Sequence, residues 1–139
     1  MFGNIVLMMA LGLAGDMPTE EKQEDAALTL TATEAAVLEQ TNAQRVQRGL
    51  PPLVIDPSLV ESARQHANWM ASTRVMRHTS KPVGENIAMG QNTVQSVVRT
   101  WMNSSGHRAN ILSRGWTRVG AAAYTTPEGR IYWCLQFLK

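Results

Sequence analysis

The stretch "RVGAAAYTTPEGRIYWCLQFL", residues 118–138, carries the clearest strand signal in the chain. Two apolar segments flank the turn residues "PEGR", and this arrangement predicts a β-hairpin. Val119, Ala121 and Ala123 alternate on the first segment, and their small side chains predict a face that a helix approaches closely. Larger side chains alternate on the second segment: Ile131, Trp133, Leu135 and Phe137.

Two helical segments lie well before this hairpin. The first is predicted to begin near Thr33, which can cap it, and to run to about Arg48, where Gly49 and "LPP" end it. The second is "DPSLVESARQHANWMAS", in which Asp56 is the expected cap and Pro57 the first helical residue.

A third helix is predicted from about Thr93 to Asn103, where valine, tryptophan and methionine recur at helical spacing. Helices followed by a hairpin indicate a layered α+β domain. The 139 residues fit one domain with a modest core.

Composition limits the partners. The single cysteine, Cys134, cannot form an internal disulfide and is predicted to be a small core residue. Residues 1–40 hold seven acids and one lysine, whereas residues 41–139 hold twelve basic residues and four acids. The basic residues are scattered without a nucleic-acid motif, so no nucleic-acid partner is expected.

The N-terminal segment bears on whether the protein is exported. Residues 1–15 are apolar but too few to cross a bilayer, and no other segment could span one. They fit a secretory signal with a small-residue cleavage site, although no lysine or arginine precedes the apolar run. Residues 16–32 are acidic and resemble a linker, which leaves 33–139 as the folded domain.

The three histidines receive different interpretations. His66 lies on the apolar stripe of the second helix and is predicted to be a hydrogen-bonded core residue. His78 lies in a loop that reaches Glu85 seven residues later. Gly84, just before it, permits a tight or left-handed backbone that could turn the carboxylate inward.

His107 follows Gly106 at the start of a last short helix, which Ser104 or Ser105 can cap. Two imidazoles and a carboxylate are suitable ligands for zinc or copper, and such a site would be sensitive to pH near neutrality. The sequence separations match no local metal motif, so spacing alone leaves open whether the three side chains meet.

Several motifs together resemble one family. "Asn42-x-x-Arg45", "RHTS", "GENIA" and "WMNSSGHRANIL", followed by "VGAAAY" and "IYWCLQF", are similar in order and spacing to the CAP superfamily, in its short, cysteine-poor bacterial form. The resemblance covers about residues 34–138. It implies that Asn42 and Arg45 are structural residues that tie the first helix to the rest.

The resemblance implies an α-β-α sandwich with a small antiparallel sheet and a central cleft. In the family this cleft holds two histidines and two acids. His78, Glu85 and His107 match three of these positions, but Ser104 occupies the place of the second acid. The missing charge implies that zinc or another divalent metal binds weakly, with water completing the site.

The function implied by the resemblance is a secreted or envelope-located, non-catalytic binding module, expected to be a monomer. Its cleft would bind a divalent metal or a small, lipid-like ligand. One alternative is a protease-like hydrolase with Ser104 or Ser105 as nucleophile, a histidine as base and Glu85 as orienter. A metal-assisted hydrolase and a cell-envelope interaction domain are the others. Neither "GxSxG" nor "HExxH" occurs in the chain.

Overall fold

The computed structural model describes residues 28–139. Four helices and four strands follow one another in this part of the chain: α1 Ala32–Val46, β1 Val54–Ile55, α2 Pro57–Thr73, β2 Gly84–Met89, α3 Val94–Met102, α4 Ser105–Ile111, β3 Arg118–Thr125 and β4 Ile131–Leu138. The predicted second and third helices and the C-terminal hairpin are confirmed. Asp56 caps α2 through the amide of Ser58, and Thr93 caps α3.

The four strands form one sheet in the order β1-β3-β4-β2. The hairpin pair β3–β4 is antiparallel, as predicted, and β2, which was not predicted as a strand, also pairs antiparallel with β4. The sheet is nevertheless mixed, because the short strand β1 runs parallel to β3 through Val54 and Ile55. The predicted small antiparallel sheet is thus extended by one parallel pairing at its edge, where the two residues of β1 leave almost no pattern to detect in the sequence.

Helix α2 covers one face of the sheet. Its buried residues pack on Ile87, Ala122, Tyr132 and Cys134. The approach is closest at Gly120, where a Cβ atom would lie 2.3 Å from the backbone carbon of Leu59. The close approach of a helix to β3 is thus confirmed, but it occurs on the face of Gly120 and Ala122 and not on the predicted face of Val119, Ala121 and Ala123.

The other face is covered by α1, α3 and α4. Trp101 of α3 and Ile111 of α4 are fully buried there against one face of the hairpin. These hairpin residues are the alternating set that the sequence indicated: Val119, Ala121, Trp133, Leu135 and Phe137. The α-β-α sandwich is confirmed.

The start of α1 differs from the prediction. Thr31, not Thr33, is the cap, and it accepts a hydrogen bond from the Glu34 amide. The Glu34 carboxylate accepts one from the Thr31 amide in return, at 2.9 Å. A capping box needs a threonine and a glutamate three residues apart, so this reciprocal pair selects Thr31. At the other end Gly49 has a φ of 73°, which confirms the predicted stop.

Asn42 and Arg45 tie the end of α1 to neighbouring segments. The Asn42 amide bonds both backbone groups of Leu53, at 2.7 and 3.0 Å. Arg45 is buried and donates to the carbonyl oxygens of Pro51, Ile111 and Ser113. The structural role implied by the resemblance is confirmed for both residues.

The predicted signal at residues 1–15 lies outside the described residues, as does most of the predicted linker at 16–32. Within residues 28–139, no helix has the length and hydropathy needed to cross a membrane.

Candidate functional site

Glu85 and His78 form the centre of the candidate site. The Nδ1 atom of His78 lies 2.7 Å from Oε1 of Glu85. The His78 side chain is 60% exposed, whereas that of Glu85 is 3% exposed. Because a carboxylate only accepts hydrogen bonds, Nδ1 carries the proton. In the neutral imidazole, Nε2 of His78 is then the nitrogen with a free lone pair.

The Glu85 carboxylate is held by three further donors. Oε1 also accepts from the amide of Thr79, at 2.9 Å. Oε2 accepts from Nε2 of Gln136 at 2.9 Å and from the thiol of Cys134 at 3.5 Å. Burial, followed by the charge of Glu85, raises the pKa of Cys134 well above its usual value, so the thiol keeps its proton and donates it.

Glu85 lies in a strand rather than in the predicted loop. Gly84 begins β2 without a positive φ, so the prediction of a tight or left-handed turn there is wrong. The glycine is needed for space instead, because a Cβ atom would lie 2.5 Å from the Trp116 ring. Glu85 pairs with Gln136 in the sheet register, which explains how the two side chains meet on the α2 face.

The next residue of β2 points to the other face and fixes α4. Asn86 donates from Nδ2 to the carbonyl oxygen of His107, at 2.9 Å. Asn110 of α4 donates to Oδ1 of Asn86 and to the carbonyl oxygen of Glu85, at 2.9 and 3.2 Å. The edge strand β2 thus holds the loop bearing His78 through Glu85 and the helix bearing His107 through Asn86.

The His107 ring is half-buried, and its pKa is lowered. Its Nδ1 atom is buried without a hydrogen-bond partner among the described residues. Burial lowers the pKa of His107, and the nearby positive charge of protonated His78 lowers it further. His107 therefore favours the neutral form that can bind a metal.

Ser104 occupies the N-cap position of α4, as predicted, but its hydroxyl makes no capping hydrogen bond. In the described part of the chain, no hydrogen bond joins the hydroxyl of Ser104 or Ser105 to His78 or His107. Residues 28–139 also contain no group of three histidine, cysteine, aspartate or glutamate residues arranged to hold a metal ion.

His66 is not the core residue that its helical position predicted. It is half-buried, its Nε2 atom lies 2.6 Å from the carbonyl oxygen of Arg77, and its ring stacks on Trp69. With His78 it lines a cavity of about 280 Å³, completed by Thr79 and Ser80. Glu85, Ser104 and His107 are not part of the lining of this cavity.

Sequence reasoning missed the buried polar residues that support the site. Gln136 is fully buried within an otherwise apolar strand, and Asn86 is fully buried beside the site acid. Buried amides need partners, so a glutamine in an alternating apolar strand was the available signal. Cys134 is buried and free, as predicted, but its contact with Glu85 was not foreseen.

The fold and this arrangement of motifs define a known class of domain. Residues 38–137 match the cysteine-rich secretory protein (CAP) family, and the chain belongs to this family. The Bacillus subtilis protein YkwD is 38% identical over 127 residues, which are 79% of this chain and 48% of YkwD. The chain thus spans about half the length of this curated relative.

Two solved structures share the fold. An extracellular protein containing a SCP domain from Bacillus anthracis superposes with a TM-score of 0.69 at 22% identity, over 81% of this chain and 45% of that one. An outer surface protein from Borrelia burgdorferi gives a TM-score of 0.68 at 19% identity, over 74% of this chain and 89% of that one.

Proposed function

We propose that this domain is an exported, non-catalytic binding module that holds a divalent metal ion weakly between His78 and His107. One observation carries the proposal: each ring has a nitrogen without a protein partner among the described residues. For His78 this nitrogen is Nε2, because Nδ1 bonds Glu85. For His107 it is the buried Nδ1. Neutral imidazole nitrogens are common ligands of zinc and similar ions.

Glu85 acts in this proposal by orienting His78. Its two oxygens accept four hydrogen bonds, which is the full capacity of a carboxylate. A carboxylate behind a ligating histidine fixes the ring and increases the basicity of the free nitrogen. The predicted direct coordination by Glu85 stays a prediction, and it would require at least one of these bonds to break.

The weakness of the site follows from its ligand number. Zinc sites of high affinity use three or four protein ligands, whereas the proposed site has two imidazoles, and Ser104 stands where a second acid would add charge. Water would complete the coordination. A bound ion would add a fixed positive charge and open positions for water or an anionic ligand.

Export is supported by the relatives rather than by the described residues. The Bacillus anthracis neighbour is an extracellular protein, and the Borrelia neighbour is an outer surface protein. The apolar residues 1–15 fit a secretory signal. The role of a cell-envelope interaction domain stays an alternative, which crosslinking in the native envelope would detect.

The absence of an activated nucleophile supports a non-catalytic role. A serine nucleophile needs a base within hydrogen-bond reach. Among the described residues, neither Ser104 nor Ser105 has such a bond. Incubation with an active-site serine reagent should leave the protein unlabelled, and stoichiometric labelling of either serine would favour the hydrolase.

Zinc titration by calorimetry tests the metal site. The parent protein is compared with His78→Ala and His107→Ala, and His66→Ala is the matched control because it removes the third imidazole. We expect binding heat in the parent and in the control, and at least a tenfold loss of affinity in the other two variants. Identical heats in all four proteins would refute the proposal, as would a loss in the control alone.

A lipid-like ligand is a second candidate with a different location. An open cavity of about 600 Å³ is lined mainly by apolar atoms of Pro82, Val83, Gly84, Trp116 and Leu138. Cavities of this size and character hold small organic ligands. A fluorescent fatty-acid analogue should bind the parent and lose binding in Val83→Glu, whereas zinc binding should be unchanged in that variant.

A further inference from the structure

Arg45 carries a buried charge that no carboxylate in the described part of the chain neutralises. Its residue surface is 1% exposed. The hydrogen bonds to Pro51, Ile111 and Ser113 use the Nε and Nη1 atoms and leave Nη2 without a described partner. A buried cation without a counter-charge is costly, so this arrangement is unusual unless an anion completes it.

A second arginine, Arg114, lines the same cavity as Arg45. It belongs to the segment between α4 and β3. Burial lowers the pKa of Arg45, and the positive charge of Arg114 lowers it further. Two cations that repel each other across one cavity would both be stabilised by an anion between them.

The cavity itself has a volume of about 300 Å³ and contains no acidic residue in its lining. Apart from the two arginines and Thr117, the lining consists of Pro51, Pro52, Val54 and Trp116. The Nε1 atom of Trp116 is buried without a hydrogen-bond partner among the described residues. The charged side chains of this cavity are therefore both cationic, within a largely apolar wall.

We propose that this cavity, between the end of α1 and the segment after α4, binds an organic carboxylate with a short apolar body. Guanidinium groups match a carboxylate in charge and in planar geometry. Arg114 can bind it through paired hydrogen bonds, and Nη2 of Arg45 can donate to it as well. The prolines and the indole of Trp116 would contact the apolar body. The site lies at the end of α1, is formed by none of the residues His78, Glu85 or His107, and does not depend on the metal.

The test uses the full chain and follows the Trp116 indole resonance by NMR during titration with benzoate. Benzamide is the neutral ligand of the same shape, and inorganic phosphate is the anion without an apolar body. Benzoate should shift the resonance with a Kd on the order of millimolar, as expected for so small a ligand. Benzamide and phosphate should bind at least tenfold more weakly.

Arg114→Gln is the decisive variant, because Arg114 is exposed and its loss relieves repulsion rather than breaking the fold. We expect at least a tenfold loss of benzoate affinity with an unchanged Tm. Arg108→Gln, at an exposed arginine of α4 outside the cavity, should bind as the parent does. Absence of a shift with benzoate, equal binding of benzamide or phosphate, or unaltered affinity in Arg114→Gln would each overturn the proposal.

Discussion

Two buried glutamates of this domain differ in the partners that hold them. The side chains of Glu34 in α1 and Glu85 in β2 are each 3% exposed. Glu34 forms a two-bond ion pair with Arg64, at 2.7 and 2.8 Å, and thereby joins α1 to α2. Glu85 has no arginine or lysine partner among the described residues; it accepts from neutral groups and from His78.

This difference separates a structural acid from a site acid. Arginine stays protonated at every ordinary pH, so the Glu34 pair is permanent. Burial would raise the pKa of Glu34, but the hydrogen bonds from Arg64 and Thr31 outweigh it and the pKa is lowered. Glu85 is fixed from the interior by the neutral donors Thr79, Cys134 and Gln136, whereas its partner His78 faces solvent and can take a ligand.

Removing the site acid should cost the most stability. Glu85→Ala leaves Gln136 and Cys134 as buried donors without an acceptor, and neither can reach water. Each buried donor left unpaired costs about 1–3 kcal/mol, so we expect a loss of about 3 kcal/mol in the free energy of unfolding. Urea denaturation measures this value. Glu61→Ala, an exposed acid on α2, is the control, and a loss below about 1 kcal/mol would contradict the account.

Removing the structural acid should cost less. Glu34→Ala breaks both the ion pair and the capping box, but the Arg64 side chain is 26% exposed and can turn to water. We expect a loss of about 2 kcal/mol, of which the lost cap accounts for roughly half. The same denaturation experiment measures it against Glu39→Ala, an exposed acid on the same helix. A larger loss than in Glu85→Ala would reverse the comparison.

The sequence could predict those features that depend on residues close together in the chain. Local signals were sufficient for Asp56 and Pro57 at the start of α2, for the stripe of α3 and for the alternating hairpin. The Thr31–Glu34 capping box is also local, although the cap was predicted at Thr33. These features depend on residues a few positions apart, so the chain itself contains the information.

The site depends on contacts that are distant in sequence. Strand β2 was predicted as a loop because Glu85 and Asn86 are consecutive polar residues that are buried on opposite faces. Their partners, Gln136 and Asn110, lie 51 and 24 positions away. His66 has the spacing of a core residue, yet the returning loop at Arg77 gives it a surface partner. Only the resemblance to the family connected His78, Glu85 and His107.

The exposed partner of the site acid should matter little for folding. His78→Gln removes one hydrogen bond to Glu85, but three other donors remain and the ring is 60% exposed. We expect a change in the free energy of unfolding of about 0.5 kcal/mol, because the lost hydrogen bond comes from an exposed ring that can bond to water instead. Thermal and urea denaturation would both detect a loss above about 1.5 kcal/mol, which would make His78 a structural residue like Arg64.

The smallest expected effect is a change in the pH dependence of stability. The folded state lowers the pKa of His107 from its ordinary 6.5, so below that pH the unfolded chain binds more protons than the folded one. Stability should therefore be fully present above pH 6.5 and fall as the pH drops toward the lowered value. His107→Gln should flatten this part of the curve, and His66→Gln should leave it unchanged.

Comparing the titration of His107 in the parent protein and in His78→Gln identifies the cause of this pH dependence. Burial of His107 is the larger reason for its lowered pKa, and the charge of His78 is the smaller one. Removing His78 should raise the pKa of His107 part of the way toward its ordinary value, which an NMR titration of the ring protons can follow. If the titration of His107 is the same in both proteins, the two rings are too far apart to share a metal ion.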